Sequence, residues 1–332
     1  MRRLVHVARD RLRRYLRQPL NQQRRFLVFS GAAAILAACG QRQPTTAPSS
    51  EDRIIQHALG ETAVPANPER VVIWGYAMVE AVVALGVQPV GIPGIILEEA
   101  AHFDLDKDEI VNISETGEPS LETITALNPD LILTTKSLGE NSYDLFSQAA
   151  PTVAFDIDER ADWRSLTSLC AEVLNKQSEV EALSADYEAK IGQLQSQLAQ
   201  PPETIEASVV LFPFDEIRAL GDASFPGSIL AEVGLSRPPS QVNRTDLRNI
   251  SLEALEQVEG DVMFVLTPKG NTEISARLLA ELERVQATPL WQQLSVVQNN
   301  QVYPVDYYWL FGSYIAANLV LDDLFEHLTT GT

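Results

Sequence analysis

The chain has 332 residues with 25 Lys and Arg against 45 Asp and Glu, a formal charge of −20. The first 38 residues hold nine arginines and one aspartate, so the rest of the chain stands at −28. That balance argues against nucleic acid as a partner, because neutralising phosphates requires clustered Lys and Arg. The length suffices for two α/β lobes with sizeable cores.

The N-terminal segment is not expected to belong to those lobes. Arg24-Arg25 precede an apolar stretch, Phe26 to Ala38, that is too short for a permanent transmembrane helix and ends in Leu36-Ala37-Ala38-Cys39. A basic region, a short apolar core and small residues before a cysteine predict an exported protein. The last four resemble a bacterial lipobox, which implies a signal over 1–38 and lipidation of Cys39. Whether export uses the general or the twin-arginine route, and whether residues 1–23 are a true start, stays open. Residues 39–53, rich in Pro, Thr and Ser, read as a flexible tether holding the protein to the outer face of the cytoplasmic membrane, facing the periplasm. The second cysteine, Cys170, lies among Leu166, Leu169, Val173 and Leu174 and reads as a buried thiol.

From residue 54 to 176 strands and helices alternate, as in parallel α/β units. Val71 to Trp74 predicts a buried strand, Met78 to Leu85 a helix closed by Gly86, and Pro89 to Ile92 the next strand. Ser120-Leu121-Glu122 then opens a short helix that runs, ten residues after the serine, into Asp130 and Leu131-Ile132-Leu133. A helix from Asp162 to Leu174 breaks at Asn175-Lys176. Residues 177–200 predict one long helix with Val180, Leu183, Tyr187, Ile191, Leu194 and Leu198 on a single face. About 22 helical residues span about 33 Å, a stiff connector that Pro201-Pro202 ends.

The segment 201–332 repeats the plan. Ser208 to Phe212 is a strand, and Gly227 to Val233 a helix closed by Gly234. Ser251-Leu252-Glu253 leads, again ten residues on, to Asp261 and Val262 to Val265. A first-turn glutamate is favourable against the helix dipole by itself. Two of them at identical spacing suggest matched acidic tips on two similar lobes, suited to docking a second protein.

Ligands of open α/β sheets lie beyond the carboxyl ends of the strands. Those ends present Trp74, Tyr76 and Lys136 in the first lobe. In the second they present Phe214, Arg218, Lys269 and the run Tyr307-Tyr308-Trp309, which cannot all face one core. Arg237, Arg244 and Arg248 lie close together in sequence, and Arg forks suit carboxylate or chelating oxygens, which points to an anionic ligand. No catalytic residue or resident cofactor is expected. Scattered histidines argue against a dedicated metal site, so a metal would arrive already chelated.

Ordered segments of the mature chain resemble a known family. They are Pro65-x-x-Pro68-x-Arg70-Val71-Val72; Glu80 followed by Ala84-Leu85-Gly86-Val87-x-Pro89-Val90-Gly91; Pro119-Ser120-Leu121-Glu122 through Asn128-Pro129-Asp130; Leu230 to Leu235; Ser251-Leu252-Glu253; and Pro289-Leu290-Trp291 with Val302-Tyr303. Together they resemble the substrate-binding lipoproteins of ABC importers for ferric siderophores, haem and cobalamin, the class III periplasmic binding proteins. The resemblance implies two Rossmann-like lobes joined by one backbone helix, with a ligand cleft between them. It also implies a monomer that carries a ferric siderophore to an ABC permease dimer, whose arginines meet Glu122 and Glu253. Haem or cobalamin as cargo, and a lipid-anchored chelatase-like enzyme or a ligand sensor on the same scaffold, are the alternatives.

Overall fold

The computed structural model describes residues 52–99, 105–114, 117–157, 163–213, 216–242, 247–268 and 273–329. The continuous apolar runs become strands because helices cover both faces of the sheets they form, so no alternation is needed. One sheet comprises β3 (Val71–Trp74), β4 (Gly91–Ile92), β5 (Val111–Asn112), β6 (Leu131–Thr135) and β7 (Thr152–Phe155). Its order is β5-β4-β3-β6-β7 and every pairing is parallel. The other comprises β8 (Ala207–Leu211), β9 (Ile217–Leu220), β10 (Leu247–Ile250), β11 (Val262–Leu266) and β12 (Val302–Val305), in the order β10-β9-β8-β11-β12. The two sheets therefore share one spatial plan, with β3 and β8 central and β5 and β10 at equivalent edges. The expectation of parallel units fails at one strand: β9 pairs antiparallel with β8, and β10 antiparallel with β9. The link from β8 to β9 is too short to hold the crossover that a parallel pairing needs.

The helices that matter are α1 (Tyr76–Ala84), α2 (Leu121–Ala126), α3 (Trp163–Leu174), α4 (Gln177–Gln197), α5 (Phe225–Val233), α6 (Glu273–Gln286) and α7 (Tyr314–Leu328). The tight stops predicted at Gly86 and Gly234 are observed, with φ of 78° and 91°, a region where glycine has no Cβ penalty. Cys170 is fully buried in α3. The aspartates of the two repeated segments are straps. Asp130 accepts the backbone N–H groups of Glu69 (2.8 Å) and Arg70 (2.9 Å) at the entry to β3. Asp261 accepts that of Glu206 (2.8 Å) at the entry to β8.

A hairpin, β1 (Arg53–His57) and β2 (Gly60–Val64), has no counterpart among the described residues of the second half. It begins at Arg53, one residue inside the stretch expected to be tether. The Arg53 guanidinium donates to the carbonyls of Glu172 and Val173, satisfying groups that the end of α3 leaves open. Leu59 N–H donates to His57 Nδ1 (3.2 Å), which puts the imidazole proton on Nε2, facing Thr62 Oγ1 (2.9 Å) and Tyr143 OH (3.2 Å). Burial lowers the pKa of His57, keeping that neutral form.

The spine α4 buries Leu183, Tyr187 and Leu194. At its flank Trp163, fully buried at the start of α3, meets three rings edge-on: Tyr187 of the spine at 5.8 Å, Phe225 of α5 at 5.7 Å and Tyr314 of α7 at 4.9 Å. The Arg164 guanidinium sits 4.1 Å over the Trp163 ring and 2.5 Å from Glu232 of α5, which also accepts Tyr187 OH (2.9 Å). Nearby, the buried carboxylate of Glu80 in α1 accepts the Ser313 hydroxyl, whose oxygen in turn caps α7 at Ala316 N (3.0 Å). Both sheets and the spine thus share one continuous core.

Candidate functional site

The two acidic tips arise from equivalent corners. β5 and β10 are matched edge strands, and Ser120 and Ser251 follow their carboxyl ends. Ser120 N–H donates to Ile113 O (2.9 Å), and Ser120 Oγ accepts Thr123 N–H (3.3 Å), capping α2. Glu122 is exposed in its first turn. The second corner departs from the expected helix. Residues Leu252–Val258 form a 3-10 segment kinked at Ala254 (φ −109°, ψ 25°), and Ser251 caps nothing. Glu253 is fully exposed; its own backbone N–H and the Ser251 hydroxyl hold its carboxyl below the usual range.

The carboxyl ends of the two sheets converge. Tyr76, two residues beyond β3, stacks on Phe311, just past the turn that follows β12, with centroids 4.6 Å apart and planes at 28°. Around this contact lie several of the residues expected at strand ends. Trp74 is the half-buried last residue of β3, 6.2 Å from the Phe146 ring. Lys136 and Asp156 are the next residues after the parallel pair Thr135 and Phe155, so the end of the β6–β7 ladder sets their Nζ and carboxylate 3.2 Å apart. Arg218 lies opposite Leu211, and its Nε and Nη2 both donate to one oxygen of Glu216 (2.9 and 2.8 Å). Tyr307 is half-buried after β12; burial, with Asp306 beside it, pushes its phenol up to about 12.

Other expectations are corrected. Trp309 is fully buried, stacked on Phe264 at 4.8 Å, with its indole N–H donated to Asp323 (2.7 Å). Tyr308 is buried too and donates to the same oxygen (2.6 Å). Both belong to the packing between β11 and α7 and do not line the strand ends. In the 3-10 turn Tyr307–Leu310, successive side chains point about 120° apart, so one of three aromatics stays at the rim. Arg237 of the arginine cluster does not reach the strand ends either. Arg237 is buried beneath the far end of β9, donating to Leu220 O and to Gln241, and desolvation pulls its guanidinium down to about 10 against the opposing effect of Asp222. Phe214, Arg244, Lys269 and Cys39 lie outside the described residues.

Asp156, Glu216 and Phe311 went unnoticed in the sequence, as did two exposed apolar residues. Ile95 (62 % exposed) follows β4, and Leu138 (48 % exposed) follows β6. Glu216 and Arg218 did carry a signal, since residues two apart on a strand share a face. An acid-lined depression of about 530 Å³ opens at the opposite, amino-terminal end of the second sheet, beside Glu203, Glu206, Glu259 and Asp261. Two of its carboxylates are committed to backbone amides, Asp261 to Glu206 N–H and Glu259 to Ser295 and Val296 N–H.

What these strand ends present is aromatic surface beside one ammonium and one guanidinium, groups suited to an organic ligand that carries acceptor oxygens. Comparisons with known proteins point the same way. Residues 71–308 match the family described as periplasmic binding protein. "Probable siderophore-binding lipoprotein YfiY" of Bacillus subtilis is 31 % identical over 90 % of this chain and 95 % of its own length. "Fe(3+)-citrate-binding protein YfmC" of the same organism is 27 % identical over 83 % and 86 %. Among solved structures, Staphylococcus aureus SirA complexed with staphyloferrin B superimposes with a TM-score of 0.66 at 28 % identity, over 83 % of this chain and 98 % of that one. Twin sheets, a single connecting helix and a match running from β3 to the turn after β12 make this chain a member of the periplasmic binding protein family.

Proposed function

We propose that this protein captures a ferric siderophore outside the cytoplasmic membrane and delivers it to an ABC permease. The observation that carries the reading is the pair of exposed glutamates, Glu122 and Glu253, at the same corner of two sheets whose carboxyl ends converge. Each would meet basic residues on one half of a dimeric permease, while lipidated Cys39 keeps the carrier near the membrane. Trp74, Tyr76 and Tyr307 supply flat apolar surface to the chelate. Lys136 and Arg218 donate to its oxygens, and the iron stays within its own ligands as cargo. Relatives described as binding siderophores and ferric citrate support the cargo. The shared core around Trp163 resists wide opening, so the cleft is largely pre-formed.

Reversing both charges, Glu122→Arg with Glu253→Arg, tests the reading. Uptake of the radiolabelled chelate by cells is expected to fall to background, while fluorescence titration of the purified variant returns the parental affinity. Undiminished uptake rejects the docking role; lost affinity places the glutamates in ligand binding instead.

A further inference from the structure

The cations that would greet an anionic cargo are already matched by carboxylates. Lys136 is 3.2 Å from Asp156, and Arg218 gives both Nε and Nη2 to Glu216. A third carboxylate, Asp306, follows β12 and accepts Tyr307 N–H (2.7 Å). Among the described residues at the carboxyl ends, acids therefore at least balance bases. For every negative charge a ligand brings, attraction to Lys136 or Arg218 is offset by repulsion from a carboxylate a few ångströms away. The chain beyond the leader adds a long-range field of the same sign, at −28. Apolar surface is present at the same ends: exposed Ile95 follows β4 and exposed Leu138 follows β6, the two strands that flank β3 with its terminal Trp74.

We infer that the cleft selects a ferric chelate that is uncharged or singly charged and carries apolar arms, and that Asp156 and Glu216 set this selection by neutralising Lys136 and Arg218. The inference rests on the proposed siderophore function and names the class of cargo within it. Glu216 does more than cancel charge. By holding the Nε proton and one Nη2 proton of Arg218 it fills the side-on edge of the guanidinium and leaves the end-on edge, Nη1 with the second Nη2 proton, as the one fork a ligand can meet. Asp156 leaves Lys136 able to share its remaining ammonium protons with a neutral carbonyl or hydroxamate oxygen.

The test titrates the purified full chain, by tryptophan fluorescence, with an uncharged ferric tris-hydroxamate and a triply anionic ferric tris-catecholate. The parent is expected to hold the tris-hydroxamate about tenfold tighter or better. Asp156→Asn with Glu216→Gln is expected to raise affinity for the tris-catecholate about tenfold while moving the tris-hydroxamate by less than about twofold. Both side chains are well exposed, so the pair of substitutions leaves the core intact. A parent that prefers the tris-catecholate overturns the inference, as does a double variant with unchanged discrimination. Both results leave the siderophore reading standing. Failure of both chelates to bind the parent overturns that reading, and this inference with it.

Discussion

In the first sheet every strand runs the same way; in the second, β9 turns back on β8, yet the strand order and the corner that bears the glutamate are the same. The route differs because β8 and β9 are joined by a turn, while β3 and β4 are joined through α1. The outcome coincides because both edge strands, β5 and β10, finish at the carboxyl end of their sheet. Position is thus set by sheet topology, while local structure at the corner is free to vary. One tip is a capped helix, and the other a kinked 3-10 segment whose serine leans on the glutamate instead.

The comparison can be broken most forcefully at the seam. Trp163→Ala removes the ring that joins α3, α4, α5 and α7, and a loss of about 3–5 kcal/mol is expected from a truncation of this kind. Calorimetry should show the parent melting in one transition and the variant melting earlier. Two transitions already present in the parent would mean that the halves are energetically separate. The corners come next. Ser120→Ala deletes a working cap and is expected to cost about 1 kcal/mol in denaturant unfolding, whereas Ser251→Ala should stay within a few tenths. Equal losses at the two positions would contradict the difference in local structure. The smallest effect concerns the hairpin described only for the first half. The folded pKa of His57 lies below its ordinary 6.5, so the unfolded chain takes up the proton more readily. Its contribution is complete above that ordinary value and is lost as pH falls from there through the lowered folded one. His57→Gln should flatten this part of the stability profile, and an unaltered profile would show that the hairpin does not sense the charge.

Much of this arrangement is legible in the amino-acid order. Val71–Trp74, Leu131–Thr135 and Val262–Leu266 announce themselves as buried strands by unbroken apolar runs, and α4 by one stripe from Val180 to Leu198. The repeated Ser-Leu-Glu spacing locates both tips. Three kinds of feature stay hidden. The reversal of β9 is one, because the turn after β8 carries neither Gly nor Asn to mark a hairpin. Direction within Tyr307-Tyr308-Trp309 is another, because it depends on whether the segment is 3-10, strand or helix. The third is partnership between distant residues. Lys136 and Asp156 meet only because β6 and β7 pair in one register, and Arg237 reads as a ligand arginine until Gln241 folds beneath it. A charge cluster read in one dimension therefore says little about which side chains meet, because that is decided by strand register and by the groups that fold beneath it.

Trp163 has one further implication. A wedge gripped from three directions leaves no slack for the halves to swing apart, and widening the gap would mean prising indole from Tyr187, Phe225 and Tyr314 at once. The molecule is therefore expected to act as a fixed-gauge caliper, its jaws keeping nearly the same spacing empty and laden, so that cargo is sorted by fit to a preset opening.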